Sequence, residues 1–370
     1  MAMNRVDEDD YLELKDQTRL YGLPKNHRYF LRKMTLLFGA SETGKSTIMD
    51  DILFMLKPHT PTIFAIAPTN KSNRMFTGKL PSKAIKDGSD VKKTIKFLES
   101  VVARQKDVAE MYNNSNDPKI LKPMFDMVSN EKERSLESTI ICRAATRLGL
   151  LHQDDSINLA KKKTQSTKIV KTRKKTLVNL YKASIRVNKS HMLTMELDKF
   201  QRAALECLDI VPDLVLVFDD CASKFKLWMK ESTVLKEIFY EGRQSYITTI
   251  ITSQDDKELD SSLRKNSMVS IFTTDQIAIS NFTRKSNGYP KFVADKAKTC
   301  IERVFKQDDE EEHFRKLAYI NNLADPFRYY LADLHEDFRM GSDVFWQLNA
   351  KMAKGKKKSL ESNRFFQRFS

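Results

Sequence analysis

A chain of 370 residues, 41% hydrophobic and 31% charged, holds enough apolar material for a folded core and is too apolar for wholesale disorder; it fits one large α/β domain with additions or two modest domains. Its 64 Lys and Arg against 49 Asp and Glu leave a net charge of +15, which draws a polyanion, nucleic acid ahead of an anionic membrane surface. Four scattered cysteines without a C-x-x-C pair point to neither a disulfide framework nor a zinc site and suit a reducing compartment, and no apolar run approaches the ~18 residues of a membrane span.

Residues 1–30 are polar, begin with an acidic stretch unlike a secretory leader, and read as an extension laid on the outside of the core. Residues 34–38 then form a short apolar run that ends at a glycine turn. Residues 46–56 carry apolar side chains at helical spacing, so the order is strand, loop, helix. A second run, 62–67, stops at Pro68 and completes a parallel βαβ unit. From residue 81 to 209 the chain becomes charged and glycine-poor, with a dense basic run at 161–189, and reads as a mainly helical basic insertion. Strand patterns resume at 214–218, 246–252 and 268–272, near-continuous β-branched runs suited to parallel strands buried on both faces. A helix is expected at 233–241, a late β-hairpin from 316–320 and 328–334, and a mobile basic tail at 351–370. The expected division is therefore an extension (1–30), a core (31–80 and 210–350), the insertion (81–209) and the tail.

The turn at Gly39-Ala40-Ser41-Glu42-Thr43-Gly44-Lys45-Ser46-Thr47 carries the most chemistry. Several backbone N–H groups can converge on a phosphate only where side chains do not block the approach, and a helix N-terminus adds its positive end. Gly39 and Gly44 meet that need, Lys45 brings a charge for the β- and γ-phosphates, and Ser46 a hydroxyl for Mg2+. The site binds ATP or GTP on this reading; no guanine-selective N-K-x-D motif is seen on the core strands. Hydrolysis also needs a carboxylate near the metal and a group to orient water. Asp219 and Asp220 follow the strand 214–218, at the end where open α/β sheets hold ligands; Asp219 would hold the metal and Asp220 the attacking water. An acidic pair there also serves as an ordinary turn or helix cap. Gln254 ends the next strand and could meet the γ-phosphate. Arg243 follows the helix 233–241 and could reach a phosphate in its own subunit or a neighbour's, or simply favour the helix C-terminus.

The order of P-loop, strand with Val217-Phe218-Asp219-Asp220, helix ending Glu241-Gly242-Arg243, and strand ending Thr252-Ser253-Gln254, followed by the strand at 268–274, resembles the poxvirus-type DNA-packaging ATPases of nucleocytoplasmic large DNA viruses, within the group that includes FtsK and HerA. The resemblance covers the core and not the insertion. It implies a RecA-like P-loop NTPase core with a mainly parallel sheet, assembled into a ring that hydrolyses ATP with Mg2+ and drives double-stranded DNA into a capsid. By that likeness Lys45 and Ser46 bind phosphate and metal, Asp219 the metal, Asp220 the water, Gln254 the γ-phosphate, and Arg243 is an arginine sensor or finger. Relatives in the wider group often carry Glu at the position of Asp220, a longer base. The setting implied is a virus factory in the host cytoplasm, or the virion, with capsid or portal components as partners and no membrane span.

The basic run, with Lys161, Lys162, Lys163, Arg173, Lys174 and Lys175, suits sequence-independent contact with DNA phosphates, and equally a solvated helix face. A helicase-like nucleic-acid-dependent ATPase, a nucleotide-gated scaffold with little turnover and a small-molecule kinase are the competing classes. The absence of an aromatic-rich set for stacking single strands disfavours the first, and the basic insertion disfavours the last.

Overall fold

The computed structural model describes residues 11–113, 212–305 and 314–342, with Phe345, Trp346 and Asn349. The chain divides into two compact units, Met1–Lys106 with Pro212–Lys356, and Asp107–Val211 with Lys357–Ser370. All described strands belong to the first. The basic residues Lys161, Lys162, Lys163, Arg173, Lys174 and Lys175 and the tail 351–370 lie outside the described residues.

Eight strands make the main sheet: β3 Met34–Phe38, β4 Thr62–Ile66, β5 Ile85–Lys86, β6 Leu214–Phe218, β7 Ile247–Ser253, β8 Val269–Phe272, β9 Lys316–Ile320 and β10 Phe327–Tyr330. Their spatial order is β10-β9-β8-β3-β7-β6-β4-β5. From β8 to β5 every pairing is parallel, and β9 and β10 extend the sheet antiparallel beside β8. The strand after the Asp pair thus runs between the P-loop strand and the Asp-Asp strand, which is the order of a RecA-like P-loop NTPase core.

Strand side chains alternate between two apolar layers because their period is two. Leu37, Val215, Val217, Ile250 and Ile271 face the layer that takes Ile48, Met49, Ile52 and Leu56 of helix α1, Lys45–Leu56. Leu36, Phe38, Leu214, Leu216 and Phe218 face the other, with Leu98, Val101, Trp228, Phe239, Phe282 and Ala297. β3, β6, β7 and β8 are buried along their whole length, as strands covered on both faces must be.

The described hairpin is β9 with β10 in the register Phe327↔Tyr319, as the late apolar runs suggested. The expected helix at 233–241 is a short helix, Val234–Lys236, that widens into a π-turn over Glu237–Glu241. Two expectations shift. The stretch before residue 31 is not merely laid outside: Tyr11–Glu13 (β1) and Arg19–Tyr21 (β2) pair antiparallel, Leu12, Leu14 and Leu20 are buried in the core, and the Leu23 amide donates to the Tyr329 carbonyl at 2.8 Å. The core also continues past residue 80. Ile85–Lys86 pairs with β4 as its edge strand, and the first turns of helix Val91–Asn113 bury Ile95, Leu98 and Val102. Gln105 donates its amide to the carbonyls of Pro212 and, at 2.9 Å, Ser245, so the chain leaves the core and re-enters it side by side.

Candidate phosphate-binding and hydrolytic site

Three parallel strands end at one edge of the sheet and set the site. β3 runs into the loop Gly39–Gly44, which hands over to α1 at Lys45. Gly44 has φ +92°, a left-handed conformation that glycine adopts without penalty. At Gly39 a Cβ would collide with the Thr273 hydroxyl at the end of β8, so the loop can lie this close to its neighbour only without a side chain. The Gly39 amide donates to the Ser253 carbonyl at 3.1 Å, and the Thr43 and Thr273 hydroxyls meet at 2.5 Å. The loop is therefore tied to both neighbouring strands, β7 and β8. Ser46 and Thr47 stand in the first turn of α1, Ser46 exposed, and Ala40, Ser41 and Glu42 lie at the surface.

Lys45 folds back over the loop and donates to the carbonyls of Gly39 and, at 3.0 Å, Ala40. Burial pushes its pKa down, while Asp220, Asp219 and Glu258 pull it up. The Lys45 ammonium is therefore close enough to the Asp pair for their charges to act on it. A phosphate entering the loop competes for the same ammonium.

Asp219 is buried at the end of β6. Its pKa is raised by burial and by Asp220, against a hydrogen bond from Thr252 and the charge of Lys45. Thr252, one position before the end of β7, does two jobs with one hydroxyl: it donates to Asp219 Oδ1 at 2.8 Å and accepts the Asp220 amide at 3.0 Å. Asp220 has φ +48°, a left-handed conformation uncommon outside glycine, asparagine and aspartate. Its Oδ1 is buried without a hydrogen-bond partner among the described residues, a costly arrangement for an acceptor that serves no ligand. Buried Asp219 and half-buried Asp220 with its one orphaned oxygen, close enough to Lys45 to act on its charge, fit a hard cation such as Mg2+ with its water shell.

Gln254 is exposed and directly follows the residue that holds Gly39. The loop behind it is fixed by a buried ion pair: Arg284 Nη2 and Nε donate to the two oxygens of fully buried Asp256 at 2.9 and 3.0 Å, and Arg264 donates to the Asp256 carbonyl at 2.6 Å. The same loop carries Glu258, which accepts from Ser253 Oγ at 2.5 Å.

Arg243 does not join this site in its own subunit. It precedes β7 and its charge bears on Lys33, whose pKa is lowered first by burial and then by Arg243; Lys33 precedes β3. Both therefore stand at the start of the parallel strands, and the six residues from Lys33 to Gly39, at ~3.3 Å each, put about 20 Å between Arg243 and the P-loop. The sequence order already implies this end, because a residue between a helix and the parallel strand that follows it stands where the strands begin, opposite the P-loop.

Sequence reasoning passed over Thr252 as a side chain, Thr273 and Glu258. The first two are legible only once β7 and β8 are known to flank β3, and Glu258 carries no motif. The other group of metal-type donors among the described residues, Asp51, Asp333 and His335, is a packed network. Asp51 accepts from Lys25, from the Tyr330 hydroxyl at 2.6 Å and pairs with His335 Nε2 at 2.7 Å. Among the described residues no helix is long and apolar enough to cross a membrane.

No protein-family model matches the chain. Among solved structures it is similar to the pCW3 conjugation coupling protein TcpA, with 12% identity, coverage of 96% of this chain and 73% of that one, and a TM-score of 0.36. It is also similar to the genome packaging NTPase B204 of Sulfolobus turreted icosahedral virus 2, at 11% identity, 84% and 100% coverage and a TM-score of 0.35. Scores of this size do not define a shared function. Sequence similarity is closer to the protein B354L of African swine fever virus: 30% identity over 336 residues with the Kenyan isolate KEN-50, covering 86% of this chain and 88% of that protein, and 30% over 335 residues with the Namibian isolate Wart80. At that identity and coverage, this chain belongs to the same protein family as B354L of African swine fever virus.

Proposed function

We propose that this chain is an ATP-driven motor for double-stranded DNA and that it packages a viral genome into its capsid. The observation that carries the ATPase reading is the pair of buried Asp219 and half-buried Asp220, which act on the charge of Lys45 from the end of the strand two places away in the sheet. The loop amides from Ala40 to Lys45 and the Lys45 ammonium hold the phosphates; Ser46 and Asp219 hold Mg2+, which offsets charge on the phosphate oxygens. Asp220, with its free buried oxygen, orients and deprotonates water, Thr252 keeps both carboxylates in place, and Gln254 meets the γ-phosphate.

DNA as the cargo is supported by the net charge of +15 and by the motif order shared with packaging ATPases. The basic run with Lys161, Lys162, Lys163, Arg173, Lys174 and Lys175 is the part proposed to contact the DNA backbone. A ring of copies, capsid or portal components as partners, and a virus factory in the host cytoplasm or the virion as its setting belong to the same proposal. Steady-state hydrolysis, measured with no DNA, with duplex and with single strands, tests it in the wild type, Lys45→Ala and Asp220→Asn. Turnover stimulated by duplex DNA and lost in both variants supports the motor. Stimulation by single strands alone points to a helicase, and ATP binding without turnover to a nucleotide-gated scaffold.

A further inference from the structure

β9 runs antiparallel to β8, so its first residue, Lys316, stands at the same edge of the sheet as the P-loop. The register pairs Phe272 with Leu317, which sets Lys316 beside Thr273, the residue that meets Thr43 and closes on Gly39. Its side chain crosses toward the loop: Lys316 Cε lies 3.8 Å from where a Cβ on Gly44 would stand. The stem therefore lies beside bare loop backbone at the rim of the cradle. Burial pushes the Lys316 pKa down, the expected cost of a cation drawn out of water.

Sheet order sets Lys316 and the Asp pair on opposite sides of the P-loop strand. β9 lies two strands from β3 on one side, and β6, which carries the Asp pair, lies two strands away on the other. At ~4.8 Å per strand those two lie about 19 Å apart. Asp219 and Asp220 act on the charge of Lys45; Lys316 approaches the loop from the side away from them.

We infer that Lys316 binds the nucleoside diphosphate part of the nucleotide, the phosphates that remain on the product, and so sets affinity rather than turnover. This rests on the phosphate-binding reading of the P-loop.

The test compares Lys316→Ala, Lys316→Met and Lys316→Arg with wild type and Lys45→Ala in the full chain, by calorimetric titration with MgATP and MgADP and by steady-state hydrolysis. Loss of a charge-assisted contact should raise both dissociation constants together by about ten-fold or more in the Ala variant. KM should follow, kcat should stay within about two-fold, and Arg should restore most of the affinity. Lys316→Met keeps the packed stem and should lose as much as Ala, which separates charge from folding. Wild-type affinity in the Ala and Met variants overturns the inference, as does a loss confined to ATP or a fall in kcat at unchanged affinity. If Lys45→Ala binds nucleotide as tightly as wild type, the P-loop reading itself fails, whatever Lys316 does.

Discussion

Thr252 concentrates the chemistry of the site in one hydroxyl. It donates to Asp219 and accepts from the Asp220 amide, and both acidic residues need that help. Asp219 is a buried carboxylate whose pKa burial raises, and Asp220 holds a positive φ. Thr252→Val preserves shape and removes both bonds, leaving a buried acceptor and a backbone donor without partners, so roughly 2 kcal/mol of stability should go. Urea unfolding would show this as a lower midpoint at unchanged slope, with Thr252→Ser close to wild type. Hydrolysis should fall further than stability explains, because the two carboxylates lose their common anchor; a Val variant as active as wild type would detach Thr252 from the catalytic arrangement.

Loops and helices reach the site through buried polar anchors. Asp256 is fully buried, and its bidentate pair with Arg284 fixes the turn that carries Gln254 and Glu258. Asp256→Ala strands a mostly buried guanidinium and should cost about 3 kcal/mol, read by chemical denaturation, with a drop in kcat as the turn loosens. Asp51 does the same for α1, tying it to Lys25, Tyr330 and His335. Burial alone would raise the Asp51 pKa, but these partners outweigh it and hold the pKa below its ordinary 3.8. Its folded value lies below its unfolded one, so Asp51 contributes stability above about pH 4 that is lost as pH falls through the folded value. Asp51→Asn should therefore lower the urea midpoint at pH 7, and the gap to wild type should narrow as pH falls below about 4; equal midpoints at pH 7 would show that the network contributes nothing.

These anchors mark the limit of what the sequence discloses. The five central strands and α1 are legible because apolar runs such as 34–38 and 214–218 end in glycine or acidic turns, and the P-loop and Asp pair announce themselves by residue type. Asp256, Thr273 and Lys316 matter through partners far away in the chain, and only the sheet order brings those partners together. The helix Val91–Asn113 misleads for a related reason: its charged face hides the narrow apolar stripe of Ile95, Leu98 and Val102 that makes its first turns part of the core.

At the scale of the molecule, the sheet has two edges, and the candidate site residues are divided between them. The P-loop, the Asp pair and Lys316 share the edge where the parallel strands end; Arg243 stands at the edge where they begin, beside Lys33. About 20 Å of β-strand lies between them, so an arginine finger at position 243 can act only on a nucleotide held by another copy. Mixing distinguishes this from an arginine that merely decorates the surface. Arg243→Ala alone should lose about 10³-fold or more in kcat, the usual worth of such a finger, with ATP affinity little changed. Lys45→Ala alone is inactive for a different reason. Combined in equal amounts, the Arg243→Ala copies supply intact P-loops and the Lys45→Ala copies supply the arginine, so about one site in four should recover under random assembly through a head-to-tail interface. Recovered hydrolysis that scales with the mixing ratio places Arg243 in trans, whereas full activity of Arg243→Ala by itself removes it from the reaction.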